Sequence, residues 1–329
     1  MEYIVNNLGS GKELKNVVKS LTGWDPGSEF LSPIPSAVIV YLSIYFIGLI
    51  CHSMTRLITP RIIRPYILDF IKTATICAYP FGHGIMRKFY GEPGYIFAAV
   101  PMAFITLVTL REGDASPLSV WEKYFTKAIP IWKCVLKTVV QIAAGFSAYH
   151  LGMNVMSMKL HPMYAERLKA YYDQFCLSDL NVPVYAGFLI EFFAVIYDSW
   201  FSSQTFTGKP HIDLIIKIFN GCLLVATGVH LTGMYIHPAM ASGLTWGCGD
   251  TTHLEHIFIY WVGPMIGTWL GVKLQRKFSI RSKQTAKKGK SENRSKKSNN
   301  NNNNNNNNSK DVTESNGQSK KARRRYFNK

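Results

Sequence analysis

Hydrophobic residues along the chain gather into long windows separated by short polar links. Seven windows stand out, at residues 34–58, 66–86, 94–111, 131–152, 185–203, 212–230 and 257–275. Each approaches the roughly 20 residues that an α-helix needs to cross the hydrocarbon core of a bilayer. The pattern therefore predicts an all-α polytopic membrane protein. The first window begins past residue 30 without an evident cleavage site, so we interpret it as a retained span or anchor.

The charges in the links predict the orientation. Arg56, Arg61 and Arg64 follow the first window, which places that link in the cytosol by the positive-inside rule. Counting spans from there puts residues 153–184 and 231–256 on the outer or lumenal side and the C-terminal tail in the cytosol. We therefore expect a multi-pass integral membrane protein.

Most of the net charge of +17 sits in the C-terminal tail, residues 276–329. This tail holds 17 Lys and Arg against three acids, and ten consecutive Asn at 299–308. Its composition is typical of a disordered segment. It is either simply solvated or in contact with anionic lipid headgroups of the bilayer. Because the basic charge belongs to a tail on a hydrophobic body, we do not expect nucleic acid as a partner.

Two parts of the chain share a fixed spacing between a buried acid and a proline. Asp69 precedes Pro117 by 48 residues, and Glu191 precedes Pro238 by 47. Such offsets argue for an internal duplication. Each copy holds three predicted spans, so the two copies would have opposite orientations in the membrane. Inverted repeats of this kind are typical of channels and transporters whose path lies between the repeats.

The segments that follow the two prolines are too short to cross a membrane and are predicted to be half-helices. Proline suits the first turn of a helix, and the residue before it becomes the N-cap. Ser116 is a favourable N-cap, whereas His237 is a poor one. The two N-termini would meet near the bilayer midplane, where their positive ends repel cations and protons. Small residues would let the second half-helix pack closely against the spans: Ala239, Ala241, Ser242 and Gly243.

These features together resemble the aquaporin family. The matching stretches are "LDF" and "IEF" around the acids, "ASPLS" and "IHPAM" at the prolines, "QIAAG", and "YWVGPMIGTWLG" near the end. The branch most similar is the superaquaporins, the unorthodox eleven/twelve group. Cys248, nine residues beyond Ala239, matches a cysteine that marks this branch.

The resemblance implies an aquaporin fold over residues 66–275, with six channel helices and two re-entrant half-helices. Repeat one would be 66–152 and repeat two 185–275, after an N-terminal segment at 1–33 and an extra hydrophobic helix at 34–58. It also implies a homotetramer that passes water, glycerol or hydrogen peroxide through one pore per subunit. It implies no enzyme activity, no cofactor and no metal. The expected location is an intracellular membrane such as the endoplasmic reticulum, or the plasma membrane.

The chain departs from the family at its pore motifs. Those motifs are Ser116, Pro117 and Leu118 in repeat one, and His237, Pro238 and Ala239 in repeat two. Ser116 and His237 stand where the family keeps asparagine, and Leu118 replaces a small residue. Met240 stands where the family usually keeps an arginine, and Met234 and Phe97 are expected to line the same constriction. A filter with two methionines and no arginine should be flexible and less polar.

The departures leave two functions open. The first is a passive channel for water or small neutral solutes. The second is a non-conducting membrane scaffold that keeps the fold without the pore chemistry. His237 decides between them in part: it is either a pore residue, whose neutral ring offers an N–H to solutes, or a satisfied core residue. As a pore residue it predicts a permeability that falls below about pH 6, because protonation adds a blocking charge.

The intramembrane acids have two interpretations as well. Asp69 and Glu191 would brace the re-entrant loops by accepting backbone N–H bonds. For Asp69 the alternative is an ion pair with Lys72, three residues further along the helix.

The cysteines and histidines offer little other chemistry. Cys176 and Cys248 both fall on the outer face, and whether they form a disulfide stays open. The sequence "HLEH", His253–His256, resembles half of a metal site but lacks further ligands.

Overall fold

Residues 30–173 and 176–278 are described by a computed structural model of the chain. Residues 1–29 of the predicted N-terminal segment and nearly all of the basic tail lie outside these residues. The described parts 30–205 and 209–278 belong to one compact unit.

The regular elements of the described residues are all helical. The helices before the second repeat are α1 (Pro33–Ile58), α2 (Arg64–Ala78), α3 (Pro80–Thr109), α4 (Pro117–Phe125), α5 (Ile131–Met156) and α6 (Pro162–Tyr172). Those that follow are α7 (Val184–Ser202), α8 (Pro210–Thr232), α9 (Pro238–Thr245), α10 (His253–Ile257), a π-helical turn (Phe258–Val262) and α11 (Gly263–Lys277). The prediction of an all-α chain is confirmed.

Proline begins many of these helices. It is the first residue of α1, α3, α4, α6, α8 and α9. Its missing N–H costs nothing there, since the first N–H groups of a helix have no partner within the helix. The short helices α4 and α9 therefore begin where the sequence predicts half-helices.

Within residues 30–173 and 176–278, six helical stretches are long and apolar enough to cross a membrane. They are Pro33–Ile58, Arg64–Thr109, Ile131–Met156, Val184–Ser202, Pro210–Thr232 and His253–Lys277. Six helices of this kind indicate a multi-pass integral membrane protein.

The stretch Arg64–Thr109 accounts for two of the seven hydrophobic windows. Its 46 residues would extend about 69 Å as one straight helix, more than twice the ~30 Å of the hydrocarbon core. Gly91 breaks it, with a φ of 64° that favours glycine. The Tyr79 hydroxyl lies 2.7 Å from Thr106 Oγ1, and Arg87 Nε lies 3.0 Å from Glu92. The chain therefore turns back on itself at Gly91.

Packing between helices follows the two predicted repeats. In the first, α2 packs against α5; in the second, α7 packs against α11. The half-helices cross over, because α9 packs against α5 and α4 packs against α11. The second half of α3 contacts α8 through a cluster around Tyr95 and Cys222. Each half-helix thus packs against a helix of the opposite repeat, and α4 also contacts α5 of its own repeat.

Helix α1 lies against α2 and α3 through close contacts at glycines. A Cβ at Gly48 would overlap the Thr75 side chain, and one at Gly82 would overlap the Tyr41 ring. The Tyr41 hydroxyl also lies 2.7 Å from His83 Nδ1. Helix α1 is therefore part of the same packed core as α2 and α3.

Candidate functional site: a cavity at the meeting point of two half-helices

The N-termini of α4 and α9 touch at His237. The Ser116 hydroxyl caps α4 by accepting the Leu118 N–H at 3.3 Å. His237 Nδ1 caps α9 by accepting the Met240 N–H at 3.1 Å. His237 Nε2 lies 2.8 Å from the carbonyl oxygen of Ala115, which can only accept. Both contacts together assign a neutral ring with its proton on Nε2.

This geometry corrects two expectations about His237. The ring is an effective N-cap, although histidine is not a favoured residue there, because its Nδ1 replaces the usual side-chain oxygen. Its N–H is already donated to Ala115, so in this arrangement it is not offered to a solute. Protonation of Nδ1 would remove the cap of α9. The bonded arrangement therefore stabilises the neutral ring, and on that ground we now expect permeability to persist at mildly acid pH, in contrast to the expectation from the sequence.

Glycine and alanine bring α9 into direct backbone contact with α5. A Cβ at Gly145 would overlap the carbonyl oxygen of Ala239, and a Cβ at Gly243 would overlap the carbonyl oxygen of Gly145. Ala239 and Ala241 are completely buried. The small residues of the second motif thus have the close-packing role that the sequence predicts for them.

The loop before α9 is held by Glu191 of α7. This carboxylate is fully buried and accepts the Tyr235 N–H at 3.0 Å and the Ile236 N–H at 3.1 Å. It also accepts the Thr232 hydroxyl at 2.9 Å. Met234 and Ile236 have φ values of 41° and 42°, which are costly for residues with side chains of this kind. Glu191 thus contacts the loop where its backbone is most strained.

The loop before α4 is held by a network of charges around Asp69. Asp69 is fully buried, and its Oδ1 accepts the Asp114 N–H at 2.7 Å. Lys137 of α5 bridges the two acids, at 2.7 Å from Asp69 and 3.0 Å from Asp114. Lys123 also pairs with Asp114.

The ion-pair alternative for Asp69 named the wrong lysine. Lys72 Nζ donates instead to the carbonyl oxygen of Gly113 at 3.1 Å. Lys137, 68 residues away in sequence, is the partner. The sequence did contain a signal for this ion pair. Lys137 lies inside the hydrophobic window 131–152, and a charge in a membrane span needs an opposite charge nearby. Spacing along one helix could not show which acid that would be.

A cavity of about 810 Å³ has Ser116 and Leu118 of the first motif and His237 of the second in its wall. Residues on the predicted outer side line one end: Arg167, Tyr171, Cys176, Leu177 and Asp179. Residues on the predicted cytosolic side line the other: Ser119, Glu122, Asp198, Ser199 and Ser202. Ser116, Leu118, Met234, His237 and Met240 line the region between. The cavity therefore follows the helices past the point where the half-helices meet.

The predicted filter residues are placed in different ways. Met234 and Met240 both line the cavity. Phe97 does not line the cavity. It is 81% exposed on the outer surface of the protein. The expectation that it forms the aromatic wall of the constriction is therefore wrong. Its neighbour Tyr95, two residues earlier on the same helix, lines the cavity together with His83. A helix turns about 100° per residue, so an uncertainty of one or two positions in the sequence match reverses the face.

The cysteines and histidines on the outer side have structural partners. Cys176 and Cys248 form a disulfide, which joins the segment before α7 to the segment after α9. His253 stacks on Trp246, and the His256 ring lies 3.2 Å from the Ser242 hydroxyl. Over residues 30–173 and 176–278, no group of three or more potential ligands could hold a metal ion.

Comparison with known proteins agrees with this geometry. The chain is 22% identical to aquaporin-11 of Milnesium tardigradum over 245 residues, which is 74% of this chain and 88% of that protein. It is 25% identical to a putative aquaporin-12B of Homo sapiens over 51% of this chain and 57% of that protein. A probable aquaporin SIP2-1 of Arabidopsis thaliana is 33% identical over 28% of this chain and 40% of that protein. No family model matches the chain.

The fold and the cavity define a polytopic α-helical membrane protein with two re-entrant half-helices. The similarities extend over most of the chain, and they identify it as a distant homologue of aquaporin-11 and aquaporin-12. The resemblance to superaquaporins is thereby confirmed. Homology to aquaporins, which are channels and not enzymes, supports the aquaporin fold for this chain.

Proposed function

We propose that this protein is a passive channel for water and small neutral solutes such as glycerol or hydrogen peroxide. The observation that carries the proposal is the cavity of about 810 Å³, which is lined by residues from both predicted sides of the membrane and has the N-termini of α4 and α9 in its wall. Converging helix N-termini repel cations while polar neutral molecules pass.

The proposal includes roles for the motif residues. Ser116 and His237 fix the ends of the two half-helices, and Pro117 and Pro238 begin them. Asp69 and Glu191 hold the loops that lead into them. Leu118, Met234 and Met240 shape the passage between the two ends, and Ala239 packs α9 against α5. Since both methionines are flexible and apolar, this passage favours solutes that need no fixed donor at that level.

The assembly and location are also part of the proposal. In it, residues 66–275 form the channel domain, helix α1 is an additional N-terminal span, and four copies associate as a homotetramer. The protein resides in the endoplasmic reticulum or the plasma membrane with its C-terminal tail in the cytosol. There the basic tail contacts anionic lipid headgroups.

Stopped-flow light scattering on liposomes that contain the full chain tests the transport function. We expect water, glycerol or hydrogen peroxide to cross faster than in empty liposomes. Equal rates for all three solutes with and without the protein would refute the channel and favour the non-conducting scaffold. His237, whose N–H is satisfied by Ala115, is the feature that would then explain the loss of transport.

A further inference from the structure

A shallow groove of about 270 Å³ lies on the surface where α4 packs against α11. Phe125 of α4 forms one wall, and the other is formed by three residues of α11: Met265, Ile266 and Trp269. None of these residues lines the internal cavity. Ile266 and Trp269 are exposed within a helix that is long and apolar enough to cross a membrane. The groove is therefore apolar and faces the bilayer.

The position of the groove along α11 places it near the predicted cytosolic surface of the membrane. Helix α11 ends at Lys277, and Trp269 lies about 12 Å before that end along the helix axis. Tryptophan is typical of the boundary between headgroups and hydrocarbon. Met265, one turn further from the helix end, reaches the depth of the acyl chains. A groove at this level can therefore contact both parts of a single lipid molecule.

Two basic side chains contact the walls of the groove, one on each side. Lys273 Nζ lies 3.3 Å from the centre of the Trp269 ring. Arg276 Nη2 donates to the carbonyl oxygen of Phe125 at 3.3 Å. Both basic residues follow Trp269 toward the end of α11, so they stand at the headgroup end of the groove. The apolar walls and the two cations therefore form one continuous surface.

Carboxylates of the protein do not neutralise this end of the groove. No acid in the described part of the chain forms a salt bridge with Lys273 or Arg276, and both side chains are exposed. Lys127, two residues beyond Phe125, adds a third exposed positive charge. Glu122, the acid of α4, lines the internal cavity instead. The headgroup end is therefore complementary to an anion.

We propose that this groove binds an anionic phospholipid of the cytosolic leaflet. An acyl chain lies against Ile266 and Trp269, and the phosphate accepts from Lys273 and Arg276. A guanidinium matches the geometry of phosphate oxygens and keeps donors free besides the one given to Phe125. Basic residues near the membrane surface attract anionic lipids, whereas a free phosphate would make no use of the apolar walls. The site is built by helices, so it is separate from the lipid contact proposed for the tail.

Quenching of Trp269 fluorescence by brominated acyl chains tests the site in liposomes that contain the full chain. The difference between the native protein and Trp269→Phe isolates the signal of the groove. Phosphatidylserine and phosphatidylcholine with the same brominated chains are compared at equal mole fractions. We expect the groove to prefer phosphatidylserine by roughly tenfold, because two basic side chains face its phosphate and carboxylate. The variant Lys273→Gln/Arg276→Gln should reduce this preference to about twofold or less.

Lys296→Gln/Lys297→Gln is the matched control, because it removes the same charge from the basic tail and should keep the preference. Equal quenching by the two lipids in the native protein, or a preference that survives Lys273→Gln/Arg276→Gln, would overturn the site. If that variant does not assemble on gel filtration, Arg276→Gln alone is judged by the same criterion.

Glycerophosphoserine, which has the headgroup without the chains, separates a lipid from a free phosphate. In excess it should leave the quenching unchanged, since the apolar walls hold the acyl chain. Recovery of the Trp269 fluorescence would show that the charged end binds a free phosphate group, and would refute the lipid. None of these measurements depends on solute flux, so their outcome is independent of the channel function.

Discussion

The loop before the second half-helix gives the sharpest test of the architecture, through the substitution Glu191→Gln. The native carboxylate accepts three hydrogen bonds, from the N–H groups of Tyr235 and Ile236 and from the Thr232 hydroxyl. Glutamine has almost the same shape but only one oxygen. Its NH2 group has to face either the Ile236 N–H or the pair formed by the Tyr235 N–H and the Thr232 hydroxyl.

The expected cost follows from the donors that lose their acceptor. A buried donor without an acceptor costs about 1–3 kcal/mol, and a bond to a charged group contributes about 1.5–3 kcal/mol. One or two lost bonds therefore amount to roughly 2–5 kcal/mol. The loop is also strained, since φ values of 41° at Met234 and 42° at Ile236 cost on the order of 1–3 kcal/mol each. Without its anchor, the loop can relax and release α9.

Thermal unfolding in detergent and glycerol flux in liposomes measure the two consequences. A loss of roughly 2–5 kcal/mol lowers the Tm by about 5–15 °C for a domain of this size, and displacement of α9 reduces the flux. Glu166→Gln is the control, because Glu166 is exposed in α6 and should change neither quantity. A Glu191→Gln protein with native Tm and native flux would refute the bracing role of this carboxylate.

Three further substitutions or conditions have definite outcomes. Gly145→Ala should abolish flux, because its Cβ would overlap the carbonyl oxygen of Ala239 and push α9 away from α5; flux assays on assembled protein measure this. Water permeability should stay constant between about pH 7.5 and pH 5.5, because His237 keeps its neutral ring as the cap of α9. Lys137→Met should destabilise the fold by roughly 3–5 kcal/mol, since it leaves buried carboxylates uncompensated; thermal unfolding checks this against the additional substitution Asp69→Asn.

Each of these three outcomes has its own control. Gly221→Ala should be silent where Gly145→Ala is not, because a Cβ there meets its nearest atom, in Asp198, only at 3.9 Å. A fall in permeability at acid pH that disappears in His237→Asn would contradict the neutral cap. Asp69→Asn should partly restore the stability of Lys137→Met, since one buried charge is removed; no restoration would argue against the ion pair.

The sequence predicted those parts of the architecture that depend on local pattern. Windows of about 20 apolar residues indicated the spans, and Pro117 and Pro238 indicated the starts of the two half-helices. Nearly equal spacings from Asp69 to Pro117 and from Glu191 to Pro238, 48 and 47 residues, indicated the inverted repeat. These signals are readable because length, proline geometry and duplication are properties of the chain itself.

The site was less predictable where it depends on partners from distant segments. Lys137 meets Asp69 only because α5 packs against α2. The expectation for Phe97 failed because the face of a helix depends on an alignment that is accurate to one residue. Cys176 and Cys248, whose pairing stayed open in the sequence, are joined in the structure.

By itself, the sequence determined that this protein is helical, that it lies in a membrane, and that two proline-led half-helices interrupt its spans. Only the tertiary structure decided what the half-helices present to each other. Both ring nitrogens of His237 are hydrogen-bonded to the backbone. Nδ1 accepts the Met240 N–H of its own helix, and Nε2 donates to the carbonyl oxygen of Ala115. Arg276 reaches Phe125, on the other wall of the groove, only because α11 packs against α4. Burial and hydrogen bonding are properties of the assembled helices, so the chemistry of the passage is set by the packing of segments that are distant in the chain.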